Sequence, residues 1–336
     1  MRKHDSELDE SLFVHAPLEE SKSEEIAYHP KGFWIESLQR LKKNRGAVIG
    51  FIVIIIISLL AIFGPMMNKY DYNTQDLTRS NLPPLVEGLE RVGFDGTDSH
   101  GKNIYEERSI KNEPAWIGTD EFGRDLWTRV WRGTQISMLI ALVAAFLDLL
   151  IGVIYGSVSA FYGGKIDNVM QRIIEILVGI PNLILIILFI LIFEPGIITI
   201  ILAMVITGWV NMARIVRGQI LQLKSQEFIL ASRVLGASNR QLIWKHLIPN
   251  TMGPIIVTLM FTIPTAIFFE AFLSFIGIGI QPPLASLGTL IEDGYQDMRF
   301  FSYKLIFPAV LISAIMISFN VLGDGLRDAL DPKLRK

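Results

Sequence analysis

Six long apolar runs constrain this chain before anything else does. The first is Ala47 to Phe63, AVIGFIVIIIISLLAIF, extended by Gly64-Pro65-Met66-Met67. The others cover about residues 136–162, 173–193, 197–213, 251–277 and 305–323. About 20 apolar residues carry an α-helix across a bilayer, and inside lipid the backbone must satisfy its own hydrogen bonds. The expected fold is therefore an all-α membrane protein with six transmembrane helices. Glu194-Pro195-Gly196 is a turn by composition and separates the third run from the fourth. The alternative, one bent helix through both runs, would need more residues than a single span holds.

The polar segments between the runs set the orientation. Arg40, Lys42, Lys43 and Arg45 precede the first run, and Lys165 and Arg172 lie between the second and third. Arg233, Arg240, Lys245 and His246 lie between the fourth and fifth, and Arg327, Lys333, Arg335 and Lys336 follow the sixth. With six spans all of these fall on one side, which the positive-inside rule assigns to the cytoplasm, together with both termini. Residues 68–132 then form the large loop on the outside, of mixed charge and containing Pro83-Pro84; a small folded cap and a mobile excursion are both open. Residues 1–30 are acidic and lack the features of a signal peptide, and are read as a disordered tail. In KGFWIESLQRLKKNR (31–45), Trp34, Leu38 and Leu41 recur at helical spacing opposite basic residues, the pattern of a helix lying on the membrane surface. A net charge of -2 argues against nucleic acid as a partner, and the absence of cysteine removes disulfides and lipid-bearing cysteines.

Motifs for chemistry on a bound cofactor or nucleotide are missing from the sequence. Both Gly-Lys pairs, Gly101-Lys102 and Gly164-Lys165, are followed by Asn or Ile, so there is no G-x-x-x-x-G-K-[ST] phosphate loop. There is also no H-E-x-x-H and no G-x-S-x-G. The five histidines (4, 15, 29, 100, 246) fall in the tail and loops. No catalytic, cofactor-binding or metal-binding residue is assigned, and any work this chain does draws its energy from elsewhere. A membrane-embedded enzyme would need a polar cluster within the spans, and a signalling protein would need a soluble domain that these short loops cannot hold.

Two acids lie inside apolar runs. Asp148 in LVAAFLDLLIGVIYG costs about 2.5–3.5 kcal/mol to insert, against about 0.3–0.6 returned by each Leu, Ile, Val or Phe, so the span survives it. Such a residue faces the bundle interior or water. Glu270 in AIFFEAFLSF raises the same question. Both are candidate pathway or gate residues, with a helix-packing hydrogen bond as the alternative for each. Gly152-x-x-x-Gly156 in the second run has the spacing that lets helices approach closely.

EFILASRVLGASNRQLIWKHLIPN (227–250) is a basic, broken segment between two runs that belong in lipid. Ser225 is placed to cap a helix with Glu227 in its first turn. Leu235 ends that helix, and Gly236 suits the left-handed terminating position. Ser238-x-x-Gln241 fits a capping box for a second helix, expected to stop at Pro249-Asn250. A DNA-reading helix-turn-helix is disfavoured because the flanking spans pin the segment against lipid. An inert surface hairpin is the bland reading. The sharper reading is a docking element, with Phe228, Ala231 and Leu235 available to enter a groove on a soluble motor.

That segment resembles the cytoplasmic EAA loop of ABC importer permeases, in which E-A-A is followed after three residues by Gly and later by Leu-Pro. Ala231, Gly236 and Pro249 match; Leu230 replaces the Glu, Ser232 the second Ala and Ile248 the Leu, while Glu227 stands one turn earlier. IGTDEFGRDLWTRVWRGTQIS (117–137), EAFLSFIGIGIQPP (270–283) and FNVLGDGLRDALDPKLRK (319–336) resemble the C-type permease of the oligopeptide/dipeptide/nickel branch, although Leu287 stands where that branch usually has Trp. The resemblance implies a type I ABC importer permease fold. Its divisions would be a tail and interfacial helix at 1–45, a first span at 46–67, an extracellular loop at 68–132, a core at 133–325 with a coupling loop at 214–250, and a tail at 326–336. It further implies a heterodimer with a B-type permease, two cytoplasmic ATP-binding subunits, an external peptide-binding protein, and coupling through Glu227, Ala231, Ser232, Gly236 and Pro249. Oligopeptides are the implied solute, with dipeptides, nickel-chelate or another small solute as alternatives.

Overall fold

Asn44 and Pro181 decide where the apolar runs bend. In the computed structural model, which describes residues 32–98, 101–110 and 114–331, a short helix α1 (Phe33–Lys43) ends at Asn44, whose side chain accepts a hydrogen bond from the Ala47 N–H and caps α2 (Arg45–Phe63). A helix thus forms where the spacing predicts one, with Trp34 and Leu38 exposed. The tail before residue 32 and the basic residues after Asp331 lie outside the described residues.

Among the described residues five helices are long and apolar enough to cross a membrane: α2 extended to Met66, α4 (Leu126–Tyr162), α7 (Ile197–Leu223), α11 (Met252–Phe275) and α13 (Tyr303–Leu330). The run at 173–193 is not one straight span. It is divided between α5 (Gly164–Gly179) and α6 (Asn182–Phe193), which meet at 81°. The physical reason is Pro181: proline pushes the residue before it out of the helical region, and Ile180 is extended (φ -99°, ψ 129°). With 12 residues α6 is about 18 Å long, too short to cross alone. The turn at 194–196 does form, with Glu194 at φ 64°, so α6 and α7 are separate helices.

The longest helix, α4, starts ten residues before the expected 136, because Asp125 caps it through the Thr128 N–H at 2.9 Å. The loop expected at 68–132 therefore ends at 125. Along α4, Gly152 and Gly156 let α7 come in close. A Cβ at Gly152 would lie 2.6 Å from the Met212 Cβ, and one at Gly156 would run into the Ala213 carbonyl. The small-residue spacing thus brings two backbones together.

The packing sorts the molecule into two ends. At one end the start of α2 meets the end of α13 (Ala47 against Gly325), and the Lys224 Nζ donates to the Ala160 carbonyl at 2.8 Å, joining the ends of α7 and α4. This end carries α8 (Glu227–Val234). At the opposite end Gly64 lies beneath the Trp131 ring, and the described residues of 68–125 fold into a cap that contains the short α3 (Ile104–Glu107) and, among those residues, three isolated β-bridges. The cap has its own centre. Leu82 and Ala115 are fully buried, and the Tyr105 hydroxyl donates to the Pro83 carbonyl at 2.9 Å while accepting from the Ala115 N–H at 3.2 Å. Burial pushes the Tyr105 phenol up to about 12. The Lys304 Nζ ties the cap to α13 through Asn81 Oδ1 at 2.6 Å. A further helix, α12 (Leu287–Asp297), lies at this end and was not expected. Ser286 and Thr289 form its capping box, and Leu287 and Leu290 are buried.

Candidate functional site

Helix α8 is held to the bundle mainly by one side chain. Ile229 is fully buried among Val216 and Ile220 of α7 and Leu242 and Leu247 of the return segment, whereas Val234 and Leu235 are 87% and 88% exposed. Phe228, Leu230 and Trp244 are also exposed. An apolar edge standing free at a helix end is costly in water and marks an interaction surface.

The helix ends as the sequence indicates. Gly236 sits at φ 89°, the Gly236 N–H reaches the Arg233 carbonyl at 3.0 Å and the Ala237 N–H reaches the Ser232 carbonyl at 3.0 Å. These are the paired bonds of a Schellman ending. Ser238 and Gln241 form the expected capping box: the Gln241 N–H donates to Ser238 Oγ at 3.3 Å, and the Ser238 N–H donates to Gln241 Oε1 at 2.9 Å. Two expectations fail. Ser225 does not cap α8; Gln226 occupies that position, and the Ser225 hydroxyl donates to Gln222. Pro249-Asn250 does not stop the second helix either. α9 (Asn239–Gln241), a π-helical turn (Leu242–Leu247) and α10 (Ile248–Asn250) run on with only Thr251 before α11. Proline is tolerated there because it falls in the first turn of α10, where its missing N–H costs least.

Glu227, Ala231, Ser232 and Gly236 therefore lie together on α8 and its ending. Glu227 and Ala231 are exposed, and the Ser232 hydroxyl folds back onto the Phe228 carbonyl at 2.7 Å. Pro249 lies apart, at the far end of the return segment. Beneath α8, a cluster that sequence reasoning missed joins α4, α5 and α7. Arg217 grips Asp167 with two bonds of 2.7 and 2.6 Å, and the Ser159 hydroxyl also donates to Asp167. Bidentate pairing of this kind is among the stronger ionic contacts. The only sequence signal for it is a charge at one edge of each apolar run.

The two intramembrane acids have different surroundings. Glu270 is fully buried, and its carboxylate accepts from the Ser137 hydroxyl at 2.6 Å and the Ser274 hydroxyl at 2.9 Å. Ser137 in turn accepts from the Leu287 N–H at 3.1 Å, so this network joins α4 and α11 to the start of α12. Asp148 is 5% exposed, and its Oδ1 has no hydrogen-bond partner. It faces a cavity of about 230 Å³ between α4, α6, α7 and α11, also lined by Asn182, Gly208, Asn211, Thr262 and Thr265.

At the cap end charges interlock. Asp120 accepts from Arg124 Nε at 2.6 Å and from the backbone N–H groups of Phe122 and Arg124, with Arg129 Nε at 3.4 Å. Arg129 also lies 3.8 Å from Asp293 of α12, and Lys304 pairs with Asp297. Burial raises the Asp293 carboxyl to about 6. Among the described residues no group of three or more His, Asp or Glu side chains is placed to hold a metal ion.

Comparison with known proteins gives a consistent picture. Residues 148–336 match the family described as binding-protein-dependent transport system inner membrane component, and residues 32–84 match the N-terminal TM domain of oligopeptide transport permease C. The chain is 45% identical over 326 residues to the oligopeptide transport system permease protein OppC of Bacillus subtilis, covering 97% of this chain and 98% of the relative. It is 44% identical over 302 residues to the dipeptide transport system permease protein DppC of the same organism, covering 90% and 86%. It is 37% identical over 316 residues to OppC of Escherichia coli, covering 94% and 96%. Among solved structures, a chain of the MetNI methionine ABC transporter superposes with a TM-score of 0.50 at 22% identity, over 60% of this chain and 96% of that one. That likeness concerns the fold alone.

Proposed function

The chain belongs to the family of binding-protein-dependent transport system inner-membrane components, as an ABC importer permease of the oligopeptide/dipeptide branch, and from that premise we infer how it works. It forms half of a translocation pathway for oligopeptides, beside a B-type permease, with two ATP-hydrolysing subunits on the cytoplasmic face and a peptide-binding protein outside. Its own residues hydrolyse nothing. Both termini and α8 face the cytoplasm, and the 68–125 cap faces outward, in keeping with the basic residues around α1, α5 and α8. The near-equal identity to dipeptide permeases makes dipeptides the second reading.

The observation that carries the coupling role is the exposed edge of α8. A helix anchored through Ile229 and ended by a left-handed glycine projects Phe228, Val234 and Leu235 away from the bundle. Burying such side chains in a groove contributes about 1.5–3 kcal/mol each, enough to hold a soluble subunit and transmit its displacement to α4 and α7. Glu227, Ala231, Ser232 and Gly236 shape that helix, and Pro249 helps aim the return segment toward α11.

The test is the double substitution Val234→Asp/Leu235→Asp in the complete transporter. Neither side chain packs in the bundle, so membrane insertion and permease pairing should persist. Co-purification of the ATPase subunits and peptide-stimulated ATP hydrolysis should both fall sharply. Wild-type values for both would remove α8 from the coupling path.

A further inference from the structure

The cavity beside Asp148 combines a charge with an unusual balance of hydrogen-bonding groups. Asp148 Oδ1 is buried and unpartnered, and no Lys, Arg or His pairs with it among the described residues. The hydroxyls that share the cavity have already spent their protons: Thr262 donates to the Thr258 carbonyl at 3.0 Å, and Thr265 donates to the Phe261 carbonyl at 2.9 Å. Their oxygens keep free lone pairs. Asn182 Oδ1 takes the Thr207 hydroxyl. What remains facing the cavity is the Asp148 carboxylate at its back wall and the two threonine oxygens as acceptors, beside the Asn182 and Asn211 amides, whose N–H groups donate. Gly208 makes the room, because a Cβ there would overlap the Asp148 carboxylate.

The cavity lies near the middle of α7 and α11 and reaches the surface where Asn211 and Thr265 are exposed. Polar side chains exposed at the middle of a span do not suit contact with lipid; they suit a partner helix or a water-filled path. A buried carboxylate is costly unless a cation answers it. A set of acceptors around a carboxylate matches a group with several N–H donors and a positive charge, which describes a primary ammonium.

We propose that the Asp148 cavity is a subsite for a primary ammonium group of the transported solute, held by the Asp148 carboxylate and the Thr262 and Thr265 hydroxyl oxygens. For a peptide the group is its free amino terminus or a lysine side chain. The proposal rests on the peptide-permease reading for the identity of the solute, while the recognition of ammonium stands on the geometry.

The experiment uses the complete membrane complex, permeases together with their ATPase subunits, in lipid nanodiscs, and omits only the external binding protein so that it does not select the ligand. Binding of trialanine is compared with binding of N-acetyl-trialanine, which lacks the charged amine, and n-butylammonium is used as a competitor. Wild-type protein should favour trialanine by about ten- to a hundredfold, the range expected for hydrogen bonds to a charged group, and n-butylammonium should displace it. Asp148→Asn, nearly isosteric, should bind both peptides alike. Equal binding of the two peptides by wild type, or a preference that survives in Asp148→Asn, would overturn the proposal. Uptake of trialanine by the intact wild-type transporter, measured alongside, separates the two readings. Displaceable amine binding without peptide uptake would refute the peptide solute and keep the ammonium subsite.

Discussion

The two ends of the bundle are built on opposite principles. At the cap end, charges on separate segments answer one another: Asp120 holds Arg124 and faces Arg129, and Lys304 spans Asn81 and Asp297. At the α8 end, a short helix is fixed by one buried isoleucine and leaves its largest apolar side chains in the open. Their glycines show the same contrast. Gly123 and Gly236 both have positive φ, 72° and 89°. A Cβ at Gly123 would collide with the Asp76 carbonyl, whereas a Cβ at Gly236 meets nothing within 4 Å. One end holds its charges against one another, and the other leaves the apolar side chains of a helix end exposed.

The largest effect should follow from breaking the cap. Asp120→Ala leaves Arg124 and Arg129 without their acid and should cost about 3–5 kcal/mol, as for other broken buried pairs. Thermal unfolding of the purified complex and protease cleavage within 68–125 would report it, and an unchanged melting curve would mean that the network does not hold the cap. Gly123→Ala comes next, at about 2–3 kcal/mol, since the strain of a left-handed alanine adds to the overlap with Asp76. Gly236→Val should cost only about 1–2 kcal/mol, all of it local strain. Cap stability should be untouched while ATPase subunits co-purify less well, and wild-type association would erase the contrast between the two glycines.

The smallest effect concerns pH. Asp293, held at about 6 by burial, takes up a proton more readily folded than unfolded. Its contribution is fully present below about pH 4 and is lost as pH rises through 6. Half of the side chain is exposed, so the change should stay below about 1 kcal/mol. Asp293→Asn should flatten that part of the stability profile, and an identical profile would show that another group titrates.

The comparison also explains what could be read from the sequence. Features decided by neighbours in the chain were legible: the apolar spans, the Gly236 ending, and the capping box from Ser238 to Gln241. Local rules misled where a nearby residue competed. Gln226 took the capping place expected of Ser225, Pro249 fell within a first turn, and Pro181 broke an apolar run whose composition looked uniform. Features decided across the fold were not legible. The Asp167–Arg217 pair and the Glu270 serine network join different helices, and the lone charges that stand out in the sequence do not say which partners they meet. Helix α12 escaped because its 11 residues mix polar and apolar side chains and are too few to register as a span. Asp148 and Glu270 look alike as acids in apolar runs; only the folded arrangement gives one two hydroxyl donors and leaves the other facing a cavity.

The length of α4 has a mechanical consequence. Its 37 residues make a rod about 55 Å long, well beyond the hydrocarbon thickness of about 30 Å. Arg129 sits among the interlocked charges near one tip, and Ser159 and Ala160 touch the supports of α8 near the other. It contains no proline to act as a joint. A tilt of about 10° about its middle would carry each tip some 5 Å in opposite directions. One continuous helix therefore joins the α8 end of the bundle to the cap end without passing through a loop.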